Sequence, residues 1–556
     1  MTTPTTPPSM TPVPTPQPVR NDRSTFSPRV DAFVTWLPTF LTELAAVLTN
    51  AYNNSLSAYN SAAAALTSQT SASSSAASAS LNASAAAGSA GAALWVSGTT
   101  YTVGYLVWSP ANGRNYRRKV AGAGATDPSA DATNWTPVTL DVSTGMPTIR
   151  PSLLLNFADS KQVDPRITFA RASSATYFDR NGVLQLAAAG VPRIDFNPAT
   201  GECLGLLLEE SKTNLLTYSE QLDNAAWTPA SNSATRTANN AEAPDGTTTA
   251  DLVDDVSVDF GQLIRQVSVV ADDSTSYTFS VFVKKSTSRY LALWLSFSGG
   301  TTRERVWTYD LDAITSQADI TSPATSGTIT DIGDGWRRIT ITHANTSEGN
   351  TSLGCRLYPA ITALGAVDVT ATGSVWAWGA QLETGLYASS YIPTTSVTVT
   401  RSADVATMTG VNFSNWYRQD EGSFVLRASI PGFVISGSSC DVISIGDGTT
   451  NNRTRIRVIG ASGSADLYVS TGGVVQVDTA DELIVGVNTQ FIATAAYKMN
   501  DFALSVNGFA VKTDSSGTVP AVSQLSLCTA GSAWIAGFSF YPKRISNAEL
   551  ITLSTL

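Results

Sequence analysis

A single histidine, His343, stands among 44 acidic side chains, and that imbalance limits the chemistry on offer. Imidazole titrates near neutral pH, and most triad hydrolases and many zinc centres depend on it. With no Ser–His–Asp or Cys–His candidate, the expectation is no catalytic constellation and no metal site, with His343 an ordinary strand residue. Two carboxylates at a defined separation can still hydrolyse a glycoside, so a polysaccharide depolymerase stays open as the rival reading. The pairs Asp254-Asp255 and Asp272-Asp273 could hold structural Ca²⁺; solvated loop charges are the expected reading, and no cofactor is called for. Cys203, Cys355, Cys440 and Cys528 lie more than 80 residues apart without a C-x-x-C pair. They read as four isolated core thiols of a chain made in a reducing cytoplasm. Arg453, Arg455 and Arg457 alternate with Thr454, Ile456 and Val458, which puts three guanidinium groups on one strand face. That face is either solvated or meets an anionic glycan or a neighbouring subunit.

These groups must be positioned by a chain of 556 residues with net charge −10. Only 14% of residues are charged, against roughly 25% in an average globular protein. Hydrophobic residues make up 43%, with 12 Trp and 17 Tyr, which excludes global disorder. The acidic balance argues against nucleic acid as a partner. The start, MTTPTTPPSM, has neither the basic nor the apolar region of a secretory signal. No run of about 18 apolar residues predicts membrane insertion. The fold class expected is mainly β: an extended arm and helical stalk, then a small β module and two β-sandwich (jelly-roll) domains.

Residues 1–30 form a Pro-rich arm; nine of the 25 prolines fall in the first 40 positions. From Asp31 a helical period begins. Leu41, Leu44, Leu48, Tyr52, Leu56, Tyr59, Ala63 and Leu66 follow one another in steps of three or four, which predicts an oligomerisation stalk over 31–93, three-stranded at close approach. Residues 44–113 hold no charged side chain, and 61–90 contain 23 Ala or Ser. A lone helix of that composition has no charged solvent face; the competing reading is a short helix with a low-complexity linker.

Residues 94–140 read as a compact aromatic unit, with short β runs at Tyr101–Trp108 and Asn115–Val120 around Asn112-Gly113. Through Trp95, Tyr101, Gly104, Trp108, Tyr116, Pro128 and Trp135 it resembles the small chitin-binding-type carbohydrate modules. It departs from their pattern at Tyr105, where Asp is usual. The resemblance implies Trp108, Tyr116 and Trp135 as carbohydrate contacts, since aromatic faces stack on the apolar faces of sugars. The same rings could equally be the only core of so small a unit.

Residues 141–213 read as a connector with a hairpin at Asn181-Gly182, and resemble a segment recurring in phage structural proteins. Residues 214–400 carry evenly spaced strands, among them Tyr277–Val283, Leu291–Phe297, Arg305–Tyr309, Trp336–Thr342 and Val375–Leu382. The opening NLLTYSEQLDNAAW and closing WAWGAQLETGLYASSYIPT resemble galactose-binding-like jelly rolls, which implies Trp294, Trp307, Tyr309 and Arg356 as ligand groups. Trp336, Trp376 and Trp378 read as packing. Residues 401–556 predict a second sandwich, similar to concanavalin-like lectin and laminin-G-type domains, closing on a short helix capped by Ser546 or Asn547.

Taken together, arm, stalk, aromatic module and two sandwiches resemble a tailed-bacteriophage tail fibre. The resemblance implies a homotrimer anchored to tail or baseplate proteins by its N-terminus. Its β domains would bind a surface glycan or pilus of the bacterial host, and its place would be the virion tail. A structural capsid or neck spike is the further alternative.

Overall fold

The computed structural model describes residues 9–17, 23–24, 27–51, 53–55, 58, 93–111, 115–137, 147, 149–227, 233–259, 261–318, 326–365, 367, 370–432, 439–460, 462–479 and 483–555. The chain divides into two units, Met1–Val142 and Ser143–Leu556. Its architecture is mainly β, as expected, with one long N-terminal helix ahead of many strands.

In the first unit that helix covers Ser27–Ser55. Pro28 falls in its first turn, where a missing N–H costs nothing. Thr35, Thr42 and Thr49 turn their hydroxyls onto the carbonyls four residues earlier at 2.8–3.0 Å, so the helix satisfies these polar groups itself. Of the stalk residues, Leu41 and Leu48 are 55% and 63% exposed and Leu44 is half-buried. Tyr52, Leu56, Tyr59, Ala63 and Leu66 lie outside the described residues. By length and composition the helix is long and apolar enough to cross a membrane, although Arg29, Asp31 and Glu43 interrupt its apolar run. Thr11 of the arm is held against this helix: Trp36 Nε1 donates to the Thr11 carbonyl at 2.9 Å, and Thr11 donates through its backbone and hydroxyl to Glu43. Those two bonds hold the Glu43 carboxyl below its ordinary range.

The small module is a four-stranded sheet, Ala93–Leu94, Leu106–Trp108, Asn115–Arg118 and Trp135–Pro137 in that order, beside a two-stranded pair. The Asn112-Gly113 turn lies outside the described residues, but its flanking strands pair with Trp108 opposite Asn115. Tyr101, Val107, Tyr116 and Trp135 are the core.

The second unit holds two sandwiches, and the chain does not build them one after the other. Leu153–Asn156, Arg193–Phe196 and Cys203–Glu209 join an eight-stranded sheet with Ser532–Tyr541, Glu421–Ser429 and Phe491–Lys498. Thr168–Ala170 joins the facing seven-stranded sheet through Val405–Thr409. The stretch read as a connector is therefore part of the C-terminal sandwich. Residues 214–400 leave and re-enter that domain through a ribbon pairing Lys212–Asn214 with Val399–Arg401. The hairpin at Asn181-Gly182 forms, Phe178 opposite Leu184. Gly182 has φ +78°, and a Cβ there would stand 2.5 Å from the Pro198 carbonyl oxygen, so the turn requires glycine.

Residues 214–400 form a jelly-roll-like sandwich of a six-stranded and a five-stranded antiparallel sheet. Phe279, Val281, Leu293, Leu295, Ile339 and Leu382 are among the side chains closing the space between them. Trp336 and Trp378 are core and Trp376 packs at its rim, as expected. A buried ionic cluster of the C-terminal sandwich lies where the inserted domain meets it, and Ser390 of that domain bonds Arg193 and Glu209 of the cluster. Arg193 bonds Glu209 at 2.8 Å and Asp404 at 2.5 Å, and Arg171 bonds Asp404 at 3.0 Å, all buried. Burial works against the Glu209 charge, but Arg401 and Arg193 outweigh it and bring its carboxyl down to about 2. All four cysteines are free thiols, Cys355, Cys440 and Cys528 of them buried, and Cys440 and Cys528 donate to backbone carbonyls, those of Ser532 and Leu208 among them. The final helix, Asn547–Leu553, carries the expected cap on Ser546, and Glu549 completes a capping box.

Candidate functional site

Within the five-stranded sheet, Tyr290–Ser298 pairs with Arg303–Asp310 on one side and Ser352–Tyr358 on the other. Alternation sends Leu291, Leu293, Leu295 and Phe297 inward and Trp294 and Ser296 to the outer face. Register sets Arg356 and Val306 directly opposite Trp294, and Glu304 opposite Ser296. The result is one cluster. The Trp294 and Tyr358 rings lie 5.7 Å apart and 20° from parallel, and the Arg356 guanidinium sits 4.8 Å from the Trp294 centroid. Arg356 reaches Glu304 at 3.6 Å, and the Ser296 hydroxyl donates to the same carboxylate at 2.8 Å. Trp294, Arg356, Glu304 and Tyr358 are all half-buried. The loop beyond Tyr358 folds back over the neighbouring part of the face: Ile361 packs with Ala292 and Val306, and Gly365 N donates to the Thr308 hydroxyl at 2.9 Å. Half-buried rings beside a cation, a carboxylate and a hydroxyl can stack on a sugar ring and bond its hydroxyl groups.

The remaining candidates go elsewhere. Trp307 is half-buried but faces inward, flat against Gly327, where a Cβ would meet its ring at 2.4 Å. Tyr309 is fully buried and donates to the Thr340 carbonyl at 2.6 Å. It belongs to the core and not to a ligand surface, and burial pushes its phenol well up. Tyr116 and Trp135 are likewise buried in the small module, with Arg118 against the Trp135 ring at 4.8 Å. In a sheet this small the inward rings are the core. The backbone of Trp108 is in a strand; its side chain lies outside the described residues. Tyr358, Glu304 and Ser296 were missed, since only cross-strand register brings them to Trp294.

The arginine stripe of the C-terminal sandwich lies on an outer face, as its alternation predicts, but it is neutralised. Arg455 pairs with Asp441, and Arg457 takes Asp466 at 2.7 Å and Asp478 at 3.0 Å, with Tyr468 beneath both guanidinium groups. Burial is the largest influence on Asp466 and pushes it up to about 6, although Arg457 pulls the other way; Asp478 shares that guanidinium and adds to the rise. Both carboxylates accept from the one Arg457 guanidinium, Asp466 at 2.7–2.9 Å and Asp478 at 3.0 Å. Among the described residues no group of three or more His, Cys, Asp or Glu is arranged to hold a metal ion. Asp255 and Asp273 instead accept backbone N–H groups of Ser257 and Thr275.

No protein-family model matches the chain, and none of the curated proteins matches it. Among solved structures it is similar to the Ruminococcus gnavus IT-sialidase CBM40 bound to alpha2,3 sialyllactose, at 15% identity over 25% of this chain and 84% of that one, TM-score 0.21. It is also similar to botulinum neurotoxin type C, whose cell entry depends on two ganglioside molecules, at 13% identity over 27% and 39%, TM-score 0.23. A third is domain 4 of the Geobacillus stearothermophilus arabinanase AbnA in complex with arabinotriose, at 11% identity over 31% and 81%, TM-score 0.22. These neighbours bind saccharides, but at such scores the likeness carries no argument for this chain.

Proposed function

We propose that this chain is a non-enzymatic attachment subunit that recognises a saccharide through the outer face of its five-stranded sheet. The observation behind this reading is the Trp294–Tyr358–Arg356 cluster with Glu304 and Ser296 beside it. It offers stacking surface and directional polar groups on rigid strands, which is what a sugar ring needs. The order of segments supports a finer reading as a tailed-bacteriophage tail fibre. The arm then anchors to tail or baseplate proteins, the helix and its continuation over 31–93 join copies into a homotrimer, and the sandwiches meet a host surface glycan. Exposed Leu41 and Leu48, at the edge of a span without charge from residue 44 onward, favour self-association. Weak single sites carried on several copies would act together at high effective concentration.

The test is adsorption of the full chain to host cells and to their purified surface polysaccharide. Wild type binds and Trp294→Ala does not, with the polysaccharide unchanged in length. Shortening of the polysaccharide would replace this reading with the depolymerase. Equal binding by both proteins would remove the Trp294 face from the function.

A further inference from the structure

A cleft of about 440 Å³ opens at one end of the first sandwich, where three strands begin at Ser276, Arg303 and Ser326 and a fourth ends at Ala344. Its walls include Arg303, Arg305, His343, Ser276, Ser326 and Thr342. The volume is in the range of small-ligand sites, roughly 300–1,000 Å³. Arg303 and Arg305 alternate with Glu304, so they point away from the Trp294 face. The outer-face cluster and this cleft are separate places on one sheet.

We propose that this cleft binds an acidic saccharide residue, its oxyanion against Arg305 and Arg303 and its hydroxyl groups against His343 and the serines. The charge is unequal to its partners. Arg303 reaches Glu348 at 3.0 Å, while Arg305 donates to a backbone carbonyl, that of Glu304, at 2.6 Å. Among the described residues no carboxylate pairs with Arg305. Two arginines therefore face one acid, and a ligand oxyanion completes the set. His343 is 6% exposed, and its Nε2 is buried with no hydrogen-bond partner among the described residues. An orphaned buried nitrogen is costly. As an acceptor it needs a hydroxyl and as a donor it needs an oxyanion; a sugar acid carries both. The groups facing His343 are Arg303 and Arg305 across the cleft, Tyr277 on the neighbouring strand and the Phe297 ring at 5.1 Å. Burial first, then the two arginines, push the imidazole down to about 4, so a bound anion would raise it.

His343 is the only histidine in the chain, so its imidazole resonances need no assignment. The experiment titrates the full chain, labelled with ¹⁵N-histidine, with glucuronate, glucose 6-phosphate, glucose and inorganic phosphate. Saturable shifts of the His343 signals with glucuronate or glucose 6-phosphate, and none with glucose, are expected; which of the two binds tells carboxylate from phosphate as the source of charge. Arg305→Gln should weaken that binding by roughly ten- to hundredfold, the equivalent of one charge-assisted hydrogen bond. Arg305→Lys, which keeps the charge if the glutamine variant fails to fold, should recover part of it. No acidic sugar shifting His343, or inorganic phosphate binding as tightly as either sugar, would overturn the proposal. Because Trp294 takes no part, loss of host binding in Trp294→Ala with these titrations unchanged would separate this site from the outer-face reading.

Discussion

Two outer sheet faces of the second unit put arginine on an aromatic ring, and they end in opposite states. On the C-terminal sandwich, Arg455 and Arg457 lie 4.4 and 4.3 Å from the Tyr468 ring, and Asp441, Asp466 and Asp478 take up the charge. On the first sandwich, Arg356 lies 4.8 Å from Trp294 and, among the described residues, pairs only with Glu304, at 3.6 Å, with Ser296 sharing that carboxylate. The first arrangement is an ion-paired ladder that completes itself. The second leaves polar capacity and ring surface open beside one another. What separates the two faces is the carboxylate count on the adjoining strands and not the arginine or the ring.

The comparison can be broken at its strongest point by Asp441→Ala. It strands Arg455, which is 8% exposed at its side chain, and should cost about 3–5 kcal/mol, as for a buried pair that loses one partner. Urea unfolding measures this, and a loss below about 1 kcal/mol would mean the ladder is dispensable. Next in size, Trp294→Ala should weaken saccharide binding by roughly tenfold or more, as loss of an anchoring aromatic does. Tyr468→Ala should leave binding alone, so calorimetry finding equal losses would erase the distinction. A third effect is in pH. Burial pushes the Asp466 carboxyl up to about 6 from its ordinary 3.8. Its contribution to stability is full below pH 3.8 and lost as pH rises through 6. Asp466→Asn cannot ionise, so denaturation midpoints between pH 4 and 7 should slope less in the variant; parallel slopes count against the burial account. The smallest effect belongs to Glu304→Gln, within about 1 kcal/mol of wild-type stability because the pair is part-exposed. Thermal unfolding would show it, and a larger loss would make the Trp294 face a ladder like the other.

Local signals in the sequence carried far. The strand Arg453–Ile459, the Asn181-Gly182 turn and the capped Asn547–Leu553 helix all form where period and turn chemistry put them. Sites read less well, because a ring's residue type does not say which face it takes. Trp294 and Tyr309 lie on adjacent strands, yet one reaches the outer face and the other is fully buried. The Tyr309 assignment failed for lack of a partner register. The Arg stripe was legible as a stripe, but its acids come from positions 441, 466 and 478, which no spacing rule links to it.

By itself the sequence determined the class: mainly β, charge-poor, with an uncharged helical segment ahead of the sandwiches. Period and turn residues act over a few positions, and that is enough to set strands and caps. Only the tertiary structure decided that residues 153–209 belong to the C-terminal sandwich and that 214–400 is inserted into it. The same is true of the neutralised stripe and of the cluster around Trp294. Those outcomes rest on pairing between strands far apart in the chain, where closing the two sheets over one core selects a register that local sequence cannot specify.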